Sequence, residues 1–274
     1  NPTTQDQYIG LDVGNAILVG SAPDNLDRYT TTFTDANDGN SYTLTGRDAY
    51  ENSYTLASGG TVKANVSLVK PEKVTAYEVG YRGLLPVSDN NVTVDLSVYY
   101  NQYEDFIANK NVIVPYNAAG GFKVFQLYTN SLADINSYGA TIGLNTKILE
   151  GFNLGLNYTF AKFDFDQASD PDFEAGFNTP EHKVKLQFGH TDLFENFGFN
   201  INARWQDEYR WESTFIDGTV GARTVLDAQI NYRVPSLKSV FKLGGANLTG
   251  IEYLSAPGVG AIGSQYYLSW TINN

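Results

Sequence analysis

Apolar and polar residues alternate along most of the chain, and the clearest run starts at Val92. Val92, Val94, Leu96, Val98 and Tyr100 point one way, while Thr93, Asp95, Ser97, Tyr99 and Asn101 point the other. A period of two belongs to a strand with one apolar and one polar face. The same pattern predicts nine strands, near 74–85, 91–103, 134–148, 152–165, 181–190, 197–206, 222–234, 240–248 and 263–273. Each has roughly the ten residues that a tilted strand needs to cross hydrocarbon.

The connections between these strands sort by length. Short ones (85–90, 149–151, 191–196, 235–239) alternate strictly with long ones (104–133, 166–180, 207–221, 249–262). An outer-membrane barrel sorts its loops in this way, with tight turns on the periplasmic side and large loops outside. A soluble sandwich has no reason to. The fold class expected is therefore all-β, an antiparallel transmembrane β-barrel. Its last strand descends to a periplasmic C-terminus, and its first also descends, leaving everything before it outside.

Parity then separates two faces. One carries Tyr77, Val79 and Tyr81; Tyr138, Ala140, Ile142 and Leu144; Phe152, Leu154, Leu156, Tyr158 and Phe160; Val184, Leu186 and Phe188. It continues through Phe197, Phe199, Ile201 and Trp205, then Leu226, Ile230 and Tyr232, and ends at Tyr266, Leu268, Trp270 and Ile272. Aromatics sit near the strand ends and aliphatics between them, as in the two interfacial girdles of a lipid-facing barrel. The other face carries Glu78, Arg82, Asp95, Asn101, Asn145, Asn157, Lys183, Lys185, Asn202, Arg204, Asp227 and Gln229. Such a face is too polar for a packed core, where each unpaired group costs about 1–3 kcal/mol. It suits a wet lumen. The odd strand count predicts that further strands either precede this chain or hide in its first 70 residues, because a bacterial single-chain barrel closes with an even number.

Residues 1–72 differ in character. They are rich in Thr, Asn, Asp, Gly and Tyr, with turn signals at Pro23-Asp24-Asn25, Asn37-Asp38-Gly39 and Ser58-Gly59-Gly60. They are expected to form one large extracellular loop region with short hairpins around Tyr42 to Leu44 and Thr61 to Leu68; the alternative is a flexible acidic segment. The barrel strands then occupy 73–274.

Composition removes several function classes. The 274 residues carry a formal net charge of -12 and no Lys/Arg cluster, which argues against nucleic acid as a partner. With no Cys there is neither a disulfide framework nor a thiolate metal site. No run of 18 apolar residues exists to form a spanning helix, which leaves a barrel possible. From the absence of Met and the abrupt Asn1-Pro2 start, the chain is expected to be a processed product or a piece of something longer.

Several segments carry a family signature. The opening Asn1-Pro2-Thr3-Thr4-Gln5-Asp6-Gln7-Tyr8-Ile9-Gly10-Leu11-Asp12 matches a segment that follows a strand ending in Phe-Arg or Tyr-Arg. Lys70-Pro71-Glu72-Lys73-Val74-Thr75-Ala76-Tyr77-Glu78-Val79-Gly80-Tyr81 is a "PE...E.G" strand, followed by Asp95-Leu96-Ser97-Val98-Tyr99-Tyr100-Asn101. Asn178-Thr179-Pro180-Glu181-His182-Lys183 resembles a "PxH" entry to a late strand, and Gly245-Ala246-Asn247-Leu248 resembles a "G..N" strand before the last. In order and spacing these segments resemble the TonB-dependent receptors of the outer membrane, in particular the C-terminal part of the barrel as found in Bacteroidota. The last strand, Tyr266 to Ile272, resembles the family's terminal strand, though Asn273-Asn274 follow where an aromatic commonly ends it. The resemblance implies a barrel of 22 strands of which about nine are here, an N-terminal plug and a TonB box not in this chain, and a surface lipoprotein as a further partner.

No catalytic constellation stands out, so no enzyme, cofactor or metal is expected. His182 and His190 lie near opposite ends of one strand without metal-ligand spacing, which suits surface or interfacial positions. Asp170, Asp172 and Glu174 alternate, but lack the glycine and terminal Glu of a Ca²⁺ loop and read as a solvated acidic loop. The expected function is TonB-dependent import of a bulky nutrient of the siderophore, cobalamin, oligosaccharide or peptide class. Asp95, Asn101, Arg204 and Asp227 would line its path through the lumen. Among the loop aromatics, Tyr29, Tyr116, Tyr209 and Trp211 are the candidates to grip it, with packing of the loops against each other as the competing role. A passive channel or anchoring barrel without TonB coupling is the alternative, and a soluble β-rich adhesin the third reading.

Overall fold

The computed structural model describes residues 1–88, 90–149, 151–213 and 216–272. Nine long strands form one antiparallel sheet in which every neighbour in sequence is a neighbour in space. They are β1 (Lys73–Val87), β2 (Asn90–Glu104), β3 (Ile135–Ile148), β4 (Phe152–Asp164), β5 (His182–Phe194), β6 (Phe197–Gln206), β7 (Arg223–Val234), β8 (Ser239–Ala246) and β9 (Gln265–Ile272). All nine coincide with the strands expected from alternation. Asn273 and Asn274, which follow the last strand, lie outside the described residues, as do Asp89, Glu150, Thr214 and Phe215 in the connections.

Registers confirm the parity. One cross-strand row runs Tyr81, Leu96, Ile142, Tyr158, Val184, Trp205, and the next runs Val94, Leu144, Leu156, Leu186, Ala203, Leu226. These side chains share a face with Val79 and Leu268, each 77% exposed. The rows are also staggered against the strand ends: Trp205 lies next to the long-loop end of β6, whereas Tyr81 lies in the lower half of β1. Strand tilt in a barrel produces this offset, because a row perpendicular to tilted strands climbs from one to the next. Short turns close one end of the sheet, where Asn196 (φ 71°) supplies a left-handed position that asparagine tolerates.

At the other end two of the four long connections fold together with the N-terminal segment. Residues 1–72 fold together with 105–134 and 165–181 around a second sheet, in which Ile107–Pro115 and Phe122–Asn130 form the central hairpin. Ile17–Val19 adds to it in parallel, and Tyr54–Thr55 and Phe173–Glu174 pair with Ile107–Pro115. The core beneath holds Val19, Val112, Val114, Phe125 and Leu127, all fully buried. Burying Phe125 alone contributes about 1.5–3 kcal/mol. The expected hairpin at Tyr42 to Leu44 exists, as Thr30–Thr34 paired with Ser41–Thr45. That at Thr61 to Leu68 is reduced to an antiparallel bridge between Lys63 and Tyr54, and the rest of the segment is tied down by Ser67 N–H donating to Thr129 Oγ1 (3.0 Å) and Lys70 N–H to Asn130 Oδ1 (2.7 Å).

Two further expectations are corrected here. Residues 1–72 hold short strands and helices rather than one open loop, and their apolar residues pack on the 107–130 hairpin. Nor do they hide barrel strands: among the described residues none of their strands joins the nine-stranded sheet.

Short elements of this cap are locally encoded. The helix Gly46–Glu51 opens with a capping box, in which Asp48 N–H donates to Thr45 Oγ1 (3.1 Å) and Thr45 N–H to Asp48 Oδ2 (2.9 Å). Its Tyr50 hydroxyl then reaches the core hairpin, donating to the Tyr128 carbonyl (2.7 Å). Among the described residues no helix is long and apolar enough to cross a membrane.

Candidate functional site

The polar face of the sheet carries charged and amide side chains, with ion pairs at Arg82–Asp95 and Arg204–Asp227. A single register row crosses six strands as Arg82, Asp95, Gly143, Asn157, Lys185 and Arg204. Asp95 accepts from Arg82 Nε at 2.8 Å. Arg204 donates to Asp227 Oδ2 at 2.8 Å, and Asp227 Oδ1 accepts the Asn247 N–H at 3.0 Å. Asn101 donates to Ser137 Oγ at 3.1 Å. Of the four expected path residues, Arg204 and Asp227 are brought together, Asp95 stands in the same row as Arg204, and Asn101 lies farther toward the long-loop end. Gly143 and Gly155 leave a trough of about 310 Å³ between them, bordered by Asn157, Lys185, Arg204 and Asp227.

A larger hollow, about 660 Å³, opens at the long-loop end of this face. Its floor is the top of β4, where Ala161, Phe163 and Phe165 occupy positions of polar-face parity. Phe177 stacks on Phe163 with ring centroids 3.8 Å apart, and Phe165 meets Phe177 edge-on at 5.8 Å. The rim carries Glu181, Asp207, Glu208, Tyr209, Arg210 and Glu212. Segments 176–178 and 212 are stitched together: Glu212 N–H donates to Asn178 Oδ1 (2.8 Å), Asn178 Nδ2 to the Glu212 carbonyl (3.0 Å), and Gly176 N–H to Glu212 Oε2 (3.2 Å). A small hairpin, Tyr209–Trp211 with Gly218–Val220, stiffens the opposite side.

The loop aromatics divide accordingly. Tyr209 lines the hollow and Trp211 pairs in the adjoining hairpin. Tyr29 lies against the backbone of Gly10, where any Cβ would stand 2.5 Å from its ring, and Tyr116 packs on Phe33 (4.9 Å) and Tyr42 (4.8 Å). These two hold the cap together. The phenylalanines of the hollow were not anticipated, although Phe163 and Phe165 carry a readable signal: they break the polar parity of β4 at one end only.

The acidic segment 170–174 is not a fully solvated loop as expected: Asp170 is buried, and Asp172 and Glu174 are half-buried. Asp170 is 2% exposed, its Oδ1 2.5 Å from Lys110 Nζ, and its Oδ2 accepts from Ser131 Oγ (2.9 Å) and Leu132 N–H (2.8 Å). Phe173 beside it is buried too, and that apolar anchor draws the segment inward. Glu174 accepts from Gln126 Nε2 (2.9 Å), and its carboxyl is pushed up to about 7 by burial and by the nearby carboxylates of Asp217 and Glu212. Burial is the larger cause of that shift, and the two carboxylates add to it.

Both histidines fall on the apolar face among aromatics. His182 meets the Tyr158 hydroxyl at 2.8 Å and His190 packs edge-on to Phe152 at 4.8 Å. Among the described residues no cluster could hold a metal ion.

The family model for TonB dependent receptor-like β-barrels matches residues 15–248, and the chain belongs to that family. It is a family of outer-membrane transporters, not enzymes. No curated protein matches the sequence. Among solved structures, the chain is similar to the ferric-catecholate import receptor Fiu of E. coli K12 at 17% identity and TM-score 0.52, over 73% of this chain and 27% of that one. It is similar to the FrpB iron transporter of Neisseria meningitidis at 12% identity and TM-score 0.54, over 76% and 32%. The siderophore receptor PirA of Acinetobacter baumannii matches at 14% identity and TM-score 0.52, over 88% and 35%. The chain thus spans about a third of the length of these receptors, and the likeness establishes a shared fold.

Proposed function

We propose that this chain is the C-terminal part of the barrel of a TonB-dependent receptor that imports a bulky, scarce nutrient across the bacterial outer membrane. One observation carries the reading above others: nine consecutive strands keep a single apolar face and a single charged face, and a folded cap stands on the long-loop end alone. In this reading the apolar face meets lipid, the row from Arg82 to Arg204 faces the lumen, and residues 1–72 with 105–134 and 165–181 form an extracellular cap. The free edges of β1 and β9 pair with the remaining strands of a larger barrel, 22 in all, since an unpaired edge in lipid leaves its N–H and C=O groups without partners.

Names of the structural neighbours, which include a ferric-catecholate receptor, iron transporters and a copper transporter, support uptake of metals and their chelates as one substrate class. A plug and TonB box upstream, a surface lipoprotein partner and a source in Bacteroidota rest on the sequence resemblance. Full-length protein in a planar bilayer is expected to pass no steady current, to open once reduced to its barrel, and to bind the periplasmic domain of TonB. Steady current from the intact protein, without TonB binding, would identify the passive channel instead.

A further inference from the structure

The aromatic hollow has a pronounced charge bias. Four carboxylates stand around it and one guanidinium, and that guanidinium is already shared: Arg210 Nε is 3.5 Å from Glu212 and its NH2 3.5 Å from Asp217. Glu181 has Lys162 Nζ at 3.6 Å. Asp207 and Glu208 make no ion pair among the described residues; Asp207 only accepts the backbone N–H of Glu208 at 2.9 Å. Beneath them lie the stacked rings of Phe163 and Phe177, with Tyr209 at the side. We infer that this hollow takes an organic cation, a ligand with a protonated amine or guanidinium beside an aromatic or apolar body, its charge held by Asp207 and Glu208 and its body laid on Phe163, Phe177 and Tyr209.

The chemistry favours that class on three counts. A cation gains from unpaired carboxylates and from ring faces together, and cation–π contact adds about 0.5–2 kcal/mol depending on desolvation. A volume of about 660 Å³ suits a ligand of small-molecule or dipeptide size. A polyanion would meet like charge on most of the rim, where Glu181, Asp207, Glu208 and Glu212 stand. The assignment rests on the import reading, because it names the cargo class of that receptor's outer mouth.

The test uses full-length receptor in detergent and three probes of one shape and different charge: phenethylamine, phenethyl alcohol and 3-phenylpropionate. Dissociation constants come from calorimetry or saturation-transfer NMR. The amine is expected to bind about tenfold tighter than the alcohol and the propionate weakest, and Asp207→Asn with Glu208→Gln is expected to bring amine and alcohol within about threefold. Both substitutions lie on the rim, outside the Glu212 to Asn178 stitching, and circular dichroism checks that the fold is kept. Equal or tighter propionate binding, no binding of any probe, or an amine preference that survives both substitutions would overturn the assignment. TonB and conductance play no part in this assay, so its failure leaves the import reading standing, and failure of TonB coupling leaves the binding preference measurable.

Discussion

Replacing Lys110 with methionine is expected to loosen the cap by about 3–5 kcal/mol, the usual result of stranding one partner of a buried ion pair. Lys110 and Asp170 are each under 5% exposed at their side chains, and Lys110 Nζ also donates to the Asn65 carbonyl at 3.1 Å. The pair therefore joins three segments that are far apart in sequence: 61–72, the 107–130 hairpin and 165–181. Removing the ammonium leaves a carboxylate held by Ser131 and Leu132 in a site without water access, and the segment carrying it must move outward to be solvated. Hydrogen exchange should quicken by roughly 10²- to 10³-fold in the hairpin Ile107–Pro115 and Phe122–Asn130 while the nine-stranded sheet stays protected. The double change Lys110→Met with Asp170→Leu should recover most of the loss, because an apolar pair of similar volume carries no desolvation cost. Unchanged exchange in the single variant would mean that the pair is solvated and the cap is held by its apolar core alone.

The second large effect concerns neighbouring residues on opposite faces. Leu156 stands midway between Phe152 and Phe160 on the apolar side of β4, in the row with Leu144 and Leu186; Asn157 is next to it and faces the charged row. Leu156→Lys is expected to cost about 2–4 kcal/mol of folding free energy in lipid vesicles, the penalty for a lysine at the bilayer midplane of a barrel. Asn157→Lys should cost less than about 1 kcal/mol, because its side chain stays in a polar row. Denaturant titration of full-length receptor in vesicles measures both. Similar costs at the two positions would remove the distinction between a lipid face and a wet face.

These contrasts show which parts of the molecule were legible in sequence. The nine strands were readable because alternation is a local property, and a period of two survives whatever the tertiary context. Their two faces were readable because the register keeps parity across every pair, so Tyr81 and Trp205 end in one row although 124 positions separate them in the chain. The cap was not readable, for a physical reason. The strands that flank its central hairpin are short, three residues at Ile17–Val19 and two at Phe173–Glu174, and Ile17–Val19 is buried at every position, so neither shows an alternation. Val112 to Val114 and Val124 to Tyr128 look like a hairpin around Asn117 to Gly121 only once residues 1–72 are known to cover them. Of the site, the charged row was anticipated by parity. The hollow was not, because its aromatics come from a strand end and its carboxylates from connections whose approach depends on Phe173 anchoring the 165–181 segment.

The opening alternation at Val92 shows both the reach and the limit of such reading. Asp95 is found on the face expected for it, paired to Arg82. It is thereby a strut between β1 and β2 before it is anything else, and a cargo passing along the lumen would meet an ion pair rather than a free carboxylate. In the proposed import reading, the residues with most to offer a cargo are those around the trough at Gly143 and Gly155, where Lys185 stands beside Arg204 in register.

The central claim is that one face of the nine-stranded sheet meets lipid and the other water, and cysteine labelling along β5 tests it most directly. The 274 residues contain no cysteine, so single substitutions here introduce unique sites. Nitroxide labels at 183 to 188, in full-length receptor reconstituted in a bilayer, would be examined for collision with oxygen and with a water-soluble nickel chelate. A period of two is expected: labels at Val184, Leu186 and Phe188 favour oxygen, and those at Lys183, Lys185 and Gln187 do not. Equal nickel access at all six positions, with no alternation, would contradict it.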